Sequence, residues 1–237
     1  MGDGAAARTR PEGRVTAVPN YGIDTDRVLA TDSLAAALRR RLRGQYAVDE
    51  FGADPHLMDL AAGVAPLRVT VEHGERVPRS GPALLIANRG LGFLEPLAVV
   101  RAVRAACGRR TRVVGAPEVP VLGDALRKLG ALGYRPDDVA ALLRAGRIAA
   151  APLAPTWFRS GPGEPPRALL VATLGFPVLP VAVQPGFPFG MPTRPWRVRF
   201  GTPLFPPAGT GPDDQLAAAE LADEVQTHVE ALLEDRA

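Results

Sequence analysis

Pro82-Ala83-Leu84-Leu85-Ile86-Ala87-Asn88-Arg89-Gly90-Leu91-Gly92-Phe93-Leu94-Glu95 is the stretch on which the fold turns. Residues 83–87 are uninterruptedly apolar and few in number, which reads as a strand buried on both faces. Gly90 and Gly92 break the run. The chain then re-enters an apolar-periodic stretch at Pro96, a residue suited to a first helical turn. Strand, glycine-containing turn and helix in that order are the unit from which parallel sheets are built.

Working outward, the same alternation recurs. Upstream, Leu67–Glu72 alternates apolar and polar positions and reads as a strand, with His73-Gly74 turning the chain. Downstream, the helix Pro96–Ala106 leads to a strand at Arg112–Gly115, a helix at Val121–Leu129 and a short strand near Ala131–Tyr134. A helix at Asp137–Ala145, a strand at Ile148–Ala151 and a helix at Arg167–Leu174 follow. Strands at Val178–Val183 and Arg197–Gly201 close the sheet. The last helix is predicted to begin at Pro212 or Asp213, with Leu216, Leu221, Val225, Val229 and Leu232 on one stripe. The fold class predicted is α/β, with a mixed, largely parallel central sheet and helices on both faces.

Ahead of this domain, residues 1–32 lack periodicity and are expected to form a flexible N-terminal segment. Residues 33–66 read as a two-helix segment, and 67–237 as the α/β domain with its C-terminal helix. In the first of the two helices Leu34, Leu38 and Leu42 repeat along one face, and Arg39, Arg40, Arg41 and Arg43 cover much of the rest. That pattern fits an apolar stripe laid on the main domain, or a basic amphipathic helix on anionic lipid. Pro55 opens the second helix, His56–Ala62, after the turn Asp49-Glu50-Phe51-Gly52-Ala53-Asp54.

Composition narrows the function. A chain of 237 residues with 46% hydrophobic residues supports one sizeable core. Lys128 is the only lysine, so nearly all of the 28 basic residues are arginine, and the net charge is +3. This balance permits an anionic partner without requiring one. Aromatics at 5% with no interleaved basic stripe exclude a nucleic-acid groove. Cys107 is the sole cysteine, which excludes an internal disulfide, and with three histidines there is no zinc spacing. No cofactor or metal is expected. The N-terminus has no apolar signal-peptide core. The apolar segment Ala168–Met191 carries Pro177, Pro180, Pro185 and Pro188, which a single membrane-crossing helix would not tolerate. The location expected is cytoplasmic, peripheral to the inner face of a membrane.

The strand-turn-helix of residues 82–95 resembles the first motif of the glycerolipid (1-acylglycerol-3-phosphate and lysophospholipid) acyltransferases, Asn-His-x4-Asp. Asn88 matches, Arg89 stands at the histidine, and Leu94 at the aspartate, with Glu95 one residue beyond. Asp49-Glu50-Phe51-Gly52 with Asp54-Pro55 resembles the leading segment of actinobacterial members. Val69–Pro78, Leu179–Val183 and Arg197–Leu204 resemble three further segments, so that the likeness spans roughly residues 46–235 in the right order.

The resemblance implies an acyl-thioester-dependent acyltransferase in which the motif histidine removes a proton from a glycerol hydroxyl and the aspartate orients it. Arginine stays protonated up to pH ~12, so Arg89 cannot act as that base. For Arg89 and Glu95 three readings stand: a loop-to-helix ion pair, a phosphate-binding Arg89, or Glu95 as an unusual base. The second motif's arginine is matched by Arg135 in Leu132-Gly133-Tyr134-Arg135-Pro136, an anion site or a solvent-exposed turn residue. The third, Phe-Pro-Glu-Gly-Thr-Arg-Ser, is matched by Ala154–Ser160, where Thr156 replaces the glutamate, Trp157 the glycine, and Arg159 is retained.

The function expected is therefore that of a pseudoenzyme or strongly impaired acyltransferase holding acyl or phosphorylated glycerolipid ligands, with Asn88, Arg135, Thr156 and Arg159 on the substrate side. An active lysophospholipid acyltransferase with a non-standard base is one alternative. A scaffolding subunit with a filled pocket, its protein partner unidentified, is the other.

Overall fold

The computed structural model describes residues 39, 42–44, 48–64, 67–88, 94–116, 122–153, 167–185, 195–206, 210, 211 and 213–234. The described chain runs α1 (Pro55–Val64), β1 (Val69–Glu72), a 3-10 turn (Gly74–Arg76), β2 (Ala83–Ala87) and α2 (Glu95–Cys107). It continues through β3 (Thr111–Val114), α3 (Leu122–Lys128), β4 (Ala131–Leu132), α4 (Pro136–Arg144) and β5 (Ile148–Pro152). It closes with α5 (Arg167–Ala172), β6 (Val178–Gln184), β7 (Trp196–Phe200) and α6 (Gln215–Glu234).

The strands form one seven-stranded sheet in the order β1-β7-β6-β2-β5-β3-β4. All neighbouring pairs are parallel except β6 and β7. The α/β class and the largely parallel sheet expected from the alternation are what the chain adopts. β2 occupies the centre, and all five of its residues are buried, as its unbroken apolar run requires.

Side-chain alternation along the strands sorts two cores. Ala83, Leu85 and Ala87 join Ile148, Ala150, Leu179 and Val181 beneath α2, which presents Ala98, Val99, Ala102 and Val103. Leu84 and Ile86 join Ala149, Ala151 and Val178 on the opposite face, under α4, α5 and α6. Helices therefore cover both faces. α2 ends where Gly108 adopts φ 74°, a left-handed geometry that glycine takes without strain.

One boundary differs from expectation for a local reason. α6 begins at Gln215, because the Asp214 carboxylate accepts from the Leu216 and Ala217 amides at 3.1 and 3.0 Å and so caps the helix. Its buried face is Ala217, Ala218, Leu221, Ala222, Val225 and Val229, while Leu216 is 71% exposed and lies off the stripe. The small alanines let the helix approach the sheet closely. At its far end Arg199 and Gln184 donate to the Leu232 and Leu233 carbonyls at 2.9 and 3.1 Å, satisfying groups that a helix terminus leaves open.

Of the arginine-rich first helix only Arg39 and residues 42–44 are described. Leu42 is 86% exposed, so at this residue the stripe does not lie on the main domain. Leu34, Leu38, Arg40, Arg41 and the segment 1–32 fall outside the described residues. Among the described residues no helix is long and apolar enough to cross a membrane.

Candidate functional site

Parallel strands send their carboxyl ends to one edge of the sheet, and the segments after β2, β3, β4, β5 and β6 all leave from there. β2 and β5 are direct neighbours, with Ala87 opposite Pro152. The Leu153 amide donates to the Ala87 carbonyl at 2.7 Å, which closes that last rung. From this common point the chain after β2 goes to α2 on one face, and the chain after β5 goes to α5 on the other. Neighbouring strands whose connections diverge to opposite faces leave a crevice at their carboxyl ends, the place where open α/β sheets bind ligands.

Asn88 stands at this point. Its amide N–H donates to the Val181 carbonyl at 3.2 Å. Its side chain reaches the same strand, with Nδ2 donating to the Val183 carbonyl at 3.0 Å and Oδ1 accepting from the Val183 amide at 2.5 Å. Glu95 is the first residue of α2 and is fully buried. A carboxylate in a first helical turn faces the positive end of the helix dipole, and Pro96 beside it sets the backbone for helix entry. Leu94, at the aligned aspartate, precedes the helix and is 39% exposed. Arg89, Thr156 and Arg159 lie outside the described residues. Only their attachment points are described: residue 88 at the end of β2, and Leu153 beyond β5.

Arg135 is placed elsewhere on the same edge. It is exposed and precedes α4 as its N-cap, with no side-chain capping bond. β4 is separated from β2 by β3 and β5, and at ~4.8 Å per strand Arg135 starts roughly 14 Å from Asn88. It borders a cleft of about 390 Å³ shared with Glu50, Phe51, Arg127 and Asp138. Two guanidinium groups and two carboxylates make that lining close to neutral. Tyr134, beside Arg135, packs against the core under α4, and burial pushes its phenol up to about 12.

The structure adds polar groups that sequence reasoning did not single out. Arg112 meets Asp49, and its guanidinium lies 6.0 Å from the Phe51 ring centroid. Asp59 takes a two-point contact from Arg110, Nε to Oδ1 at 3.1 Å and Nη2 to Oδ2 at 2.8 Å. Arg109, 2% exposed, donates to the carbonyls of Pro78, Gly81 and Gly146 at 3.1, 2.7 and 2.6 Å. Glu72 holds both Arg197 and Arg199. The signal for these was weak, since an arginine-rich sequence offers no way to tell a buried guanidinium from a solvated one.

Cys107 is half-buried, with its thiol 3.3 Å from the Val103 carbonyl. His228, partly exposed, sits on α6 with Nδ1 2.8 Å from the Glu224 carbonyl. His73 is the one non-glycine residue with positive φ, at 57°, among the described residues. None of the three lies at the carboxyl edge of β2. Among the described residues no group of histidine, cysteine and carboxylate side chains is placed to hold a metal ion.

None of the known protein-family models matches the chain. The chain belongs to the same family as a set of uncharacterized mycobacterial proteins. It is 30% identical over 263 aligned positions to the uncharacterized protein Rv0502 of Mycobacterium tuberculosis, covering 85% of this chain and 72% of that one. It is 29% identical over 265 positions to the uncharacterized protein ML2427 of Mycobacterium leprae, with 85% and 71% covered. These relatives agree with the actinobacterial cast of the leading segment. Among solved structures it is similar to the 1-acyl-sn-glycerophosphate (LPA) acyltransferase PlsC of Thermotoga maritima, with a TM-score of 0.49, 18% identity, and 77% of this chain and 82% of that chain covered.

Proposed function

We propose that this protein is an acyltransferase-type lipid binder that holds an acyl chain or phosphorylated glycerolipid at the carboxyl edge of its sheet and does not transfer acyl groups by base-assisted attack. The observation that carries the reading is the junction of β2 and β5. The chain reaches the mouth of a diverging crevice at Asn88, and the next residue in sequence is an arginine. General-base catalysis at that position needs a group that gives up its proton near neutral pH, and a guanidinium does not. A cation at the mouth of an apolar α/β crevice instead suits the phosphate or carboxylate of a bound lipid.

Glu95 supports the same reading. It is fully enclosed at the start of α2, which favours a structural carboxylate over one that receives a proton from an incoming hydroxyl. Thr156 and Trp157 replace the glutamate and glycine of the third motif, so two stretches that would meet acceptor have lost their chemistry together. Docking on an anionic membrane face belongs to the same proposal. It is supported by the exposed Leu42 flanked by Arg41 and Arg43.

The test is an assay of thiol release from short-, medium- and long-chain acyl-coenzyme A with a panel of lysophospholipid acceptors, run beside mass spectrometry of lipids that co-purify. The expected result is bound lipid and no turnover above the uncatalysed rate. Turnover that disappears in Glu95→Gln would overturn the proposal in favour of an active enzyme with a carboxylate base.

A further inference from the structure

A parallel ladder between β2 and β6 has a defined continuation. Leu84, Leu85, Ile86 and Ala87 lie opposite Val178, Leu179, Pro180 and Val181, and the Asn88 amide donates to the Val181 carbonyl. Ala182 is next in register. In a parallel pair the following rung would run from the Val183 amide to the main-chain carbonyl of residue 88. That amide goes instead to Oδ1 of the Asn88 side chain, and the Val183 carbonyl accepts from Nδ2. A primary carboxamide offers the same donor and acceptor as a peptide group, so it meets both backbone groups of Val183 at once.

We infer that Asn88 is a positioning residue whose side-chain amide replaces the last rung of the β2–β6 ladder. This lets the main chain leave the sheet at residue 88 without stranding Val183. The β2–β6 seam is thereby sutured shut, while the connections that follow the neighbouring β2 and β5 lead to helices on opposite faces of the sheet. The replaced rung sets which side of β2 opens, and it commits the Asn88 carboxamide to protein rather than to ligand. An aspartate at this position would keep the acceptor and press a carboxylate oxygen against the Val183 carbonyl. An alanine would remove both partners.

The suture is independent of any ligand, and only its consequence for binding rests on the function proposed above. The experiment follows the Val183 amide by hydrogen exchange in the NMR spectrum of the wild type, Asn88→Ala, Asn88→Asp and Ile86→Val, with palmitoyl-coenzyme A titrated into each. In Asn88→Ala the Val183 amide is expected to exchange at least roughly tenfold faster than in the wild type, because its acceptor is gone. Asn88→Asp, which retains an acceptor, is expected to fall between the two. Ile86→Val, a loss of one methyl in the core under α4, α5 and α6, is expected to stay within about twofold of the wild type in both exchange at Val183 and affinity. Unchanged Val183 exchange in Asn88→Ala would overturn the inference. So would wild-type affinity for the thioester in Asn88→Ala with the amide open. No binding by the wild type would instead count against the proposed function, and the exchange comparison would still decide the suture.

Discussion

Asp49 and Arg112 meet across 63 residues of sequence, a carboxylate from the turn before α1 closing on a guanidinium from the middle of β3. The Arg112 side chain is 5% exposed and that of Asp49 28%. The other carboxylate oxygen of Asp49 accepts the amides of Phe51 and Ala53 at 3.0 and 2.9 Å, which shapes the turn itself. One side chain therefore folds the leading segment locally and pins it to the sheet. Asp49→Ala is expected to destabilise the protein by about 3 kcal/mol, because it removes the carboxylate that pairs with a buried guanidinium. Asp49→Asn keeps the turn and loses the ion pair, and is expected to cost clearly less. Urea unfolding of both variants checks the order.

Arg109, itself in the connection before β3, serves three carbonyls in two other connections, Pro78 and Gly81 before β2 and Gly146 before β5. These lie at the amino edge of the sheet, opposite the edge at which Asn88 leaves β2. Arg109→Ala is expected to cost about 3 kcal/mol, since it removes the charge-assisted hydrogen bonds that a buried guanidinium makes to three carbonyls. Acyl-thioester binding at the other edge is expected to be unchanged at temperatures where the variant is folded. Thermal unfolding together with titration of the folded variant separates the two effects.

Gly130 precedes β4 with φ 92°, and a Cβ there would come within 2.6 Å of the Met58 methyl. Gly130→Ala is expected to lose about 1–2 kcal/mol from backbone strain and crowding together. Adding Met58→Ala clears the crowding and leaves the strain, so in the double variant the glycine substitution is expected to cost less than it does alone. A double-mutant cycle measured by denaturant unfolding gives the answer directly.

Tyr134 ties stability to alkaline pH. Its phenol ionises near pH 10 in the unfolded chain and at about 12 in the folded protein, because burial disfavours the phenolate. The folded state therefore holds this proton more tightly. The contribution is fully present below pH ~10 and is lost as pH rises through about 12. Unfolding free energy measured between neutral pH and that range is expected to decline less steeply in Tyr134→Phe than in the wild type. Tyrosinate absorbance is expected to lose its latest-titrating component in the same variant.

Much of the fold was legible. The strand at Ala83–Ala87 was read to the residue, and the helix after it to within one residue at either end, because apolar runs, prolines and glycines are local signals. The stripe on α6 was partly misread. Leu216 drew attention for its size, yet the face that packs is built on Ala217, Ala218 and Ala222, whose burial depends on how closely the helix meets the sheet. The candidate site divided in the same way. Residue identities at 88, 89 and 95 state what chemistry is affordable to each side chain, but nothing in them announced that the carboxamide of Asn88 is taken up by Val183.

What the sequence determined by itself is the alternation of strands and helices and, at residue 89, an arginine that cannot take up a proton near neutral pH. The first depends on contacts a few residues apart, and the second on the intrinsic basicity of a guanidinium. Strand order, the reversal of β7 against β6, and the divergence of the connections after β2 and β5 to opposite faces of the sheet were decided only in the tertiary structure. Those features depend on which distant strands share hydrogen bonds and which face each connection must cover, and no local pattern in the chain encodes that choice.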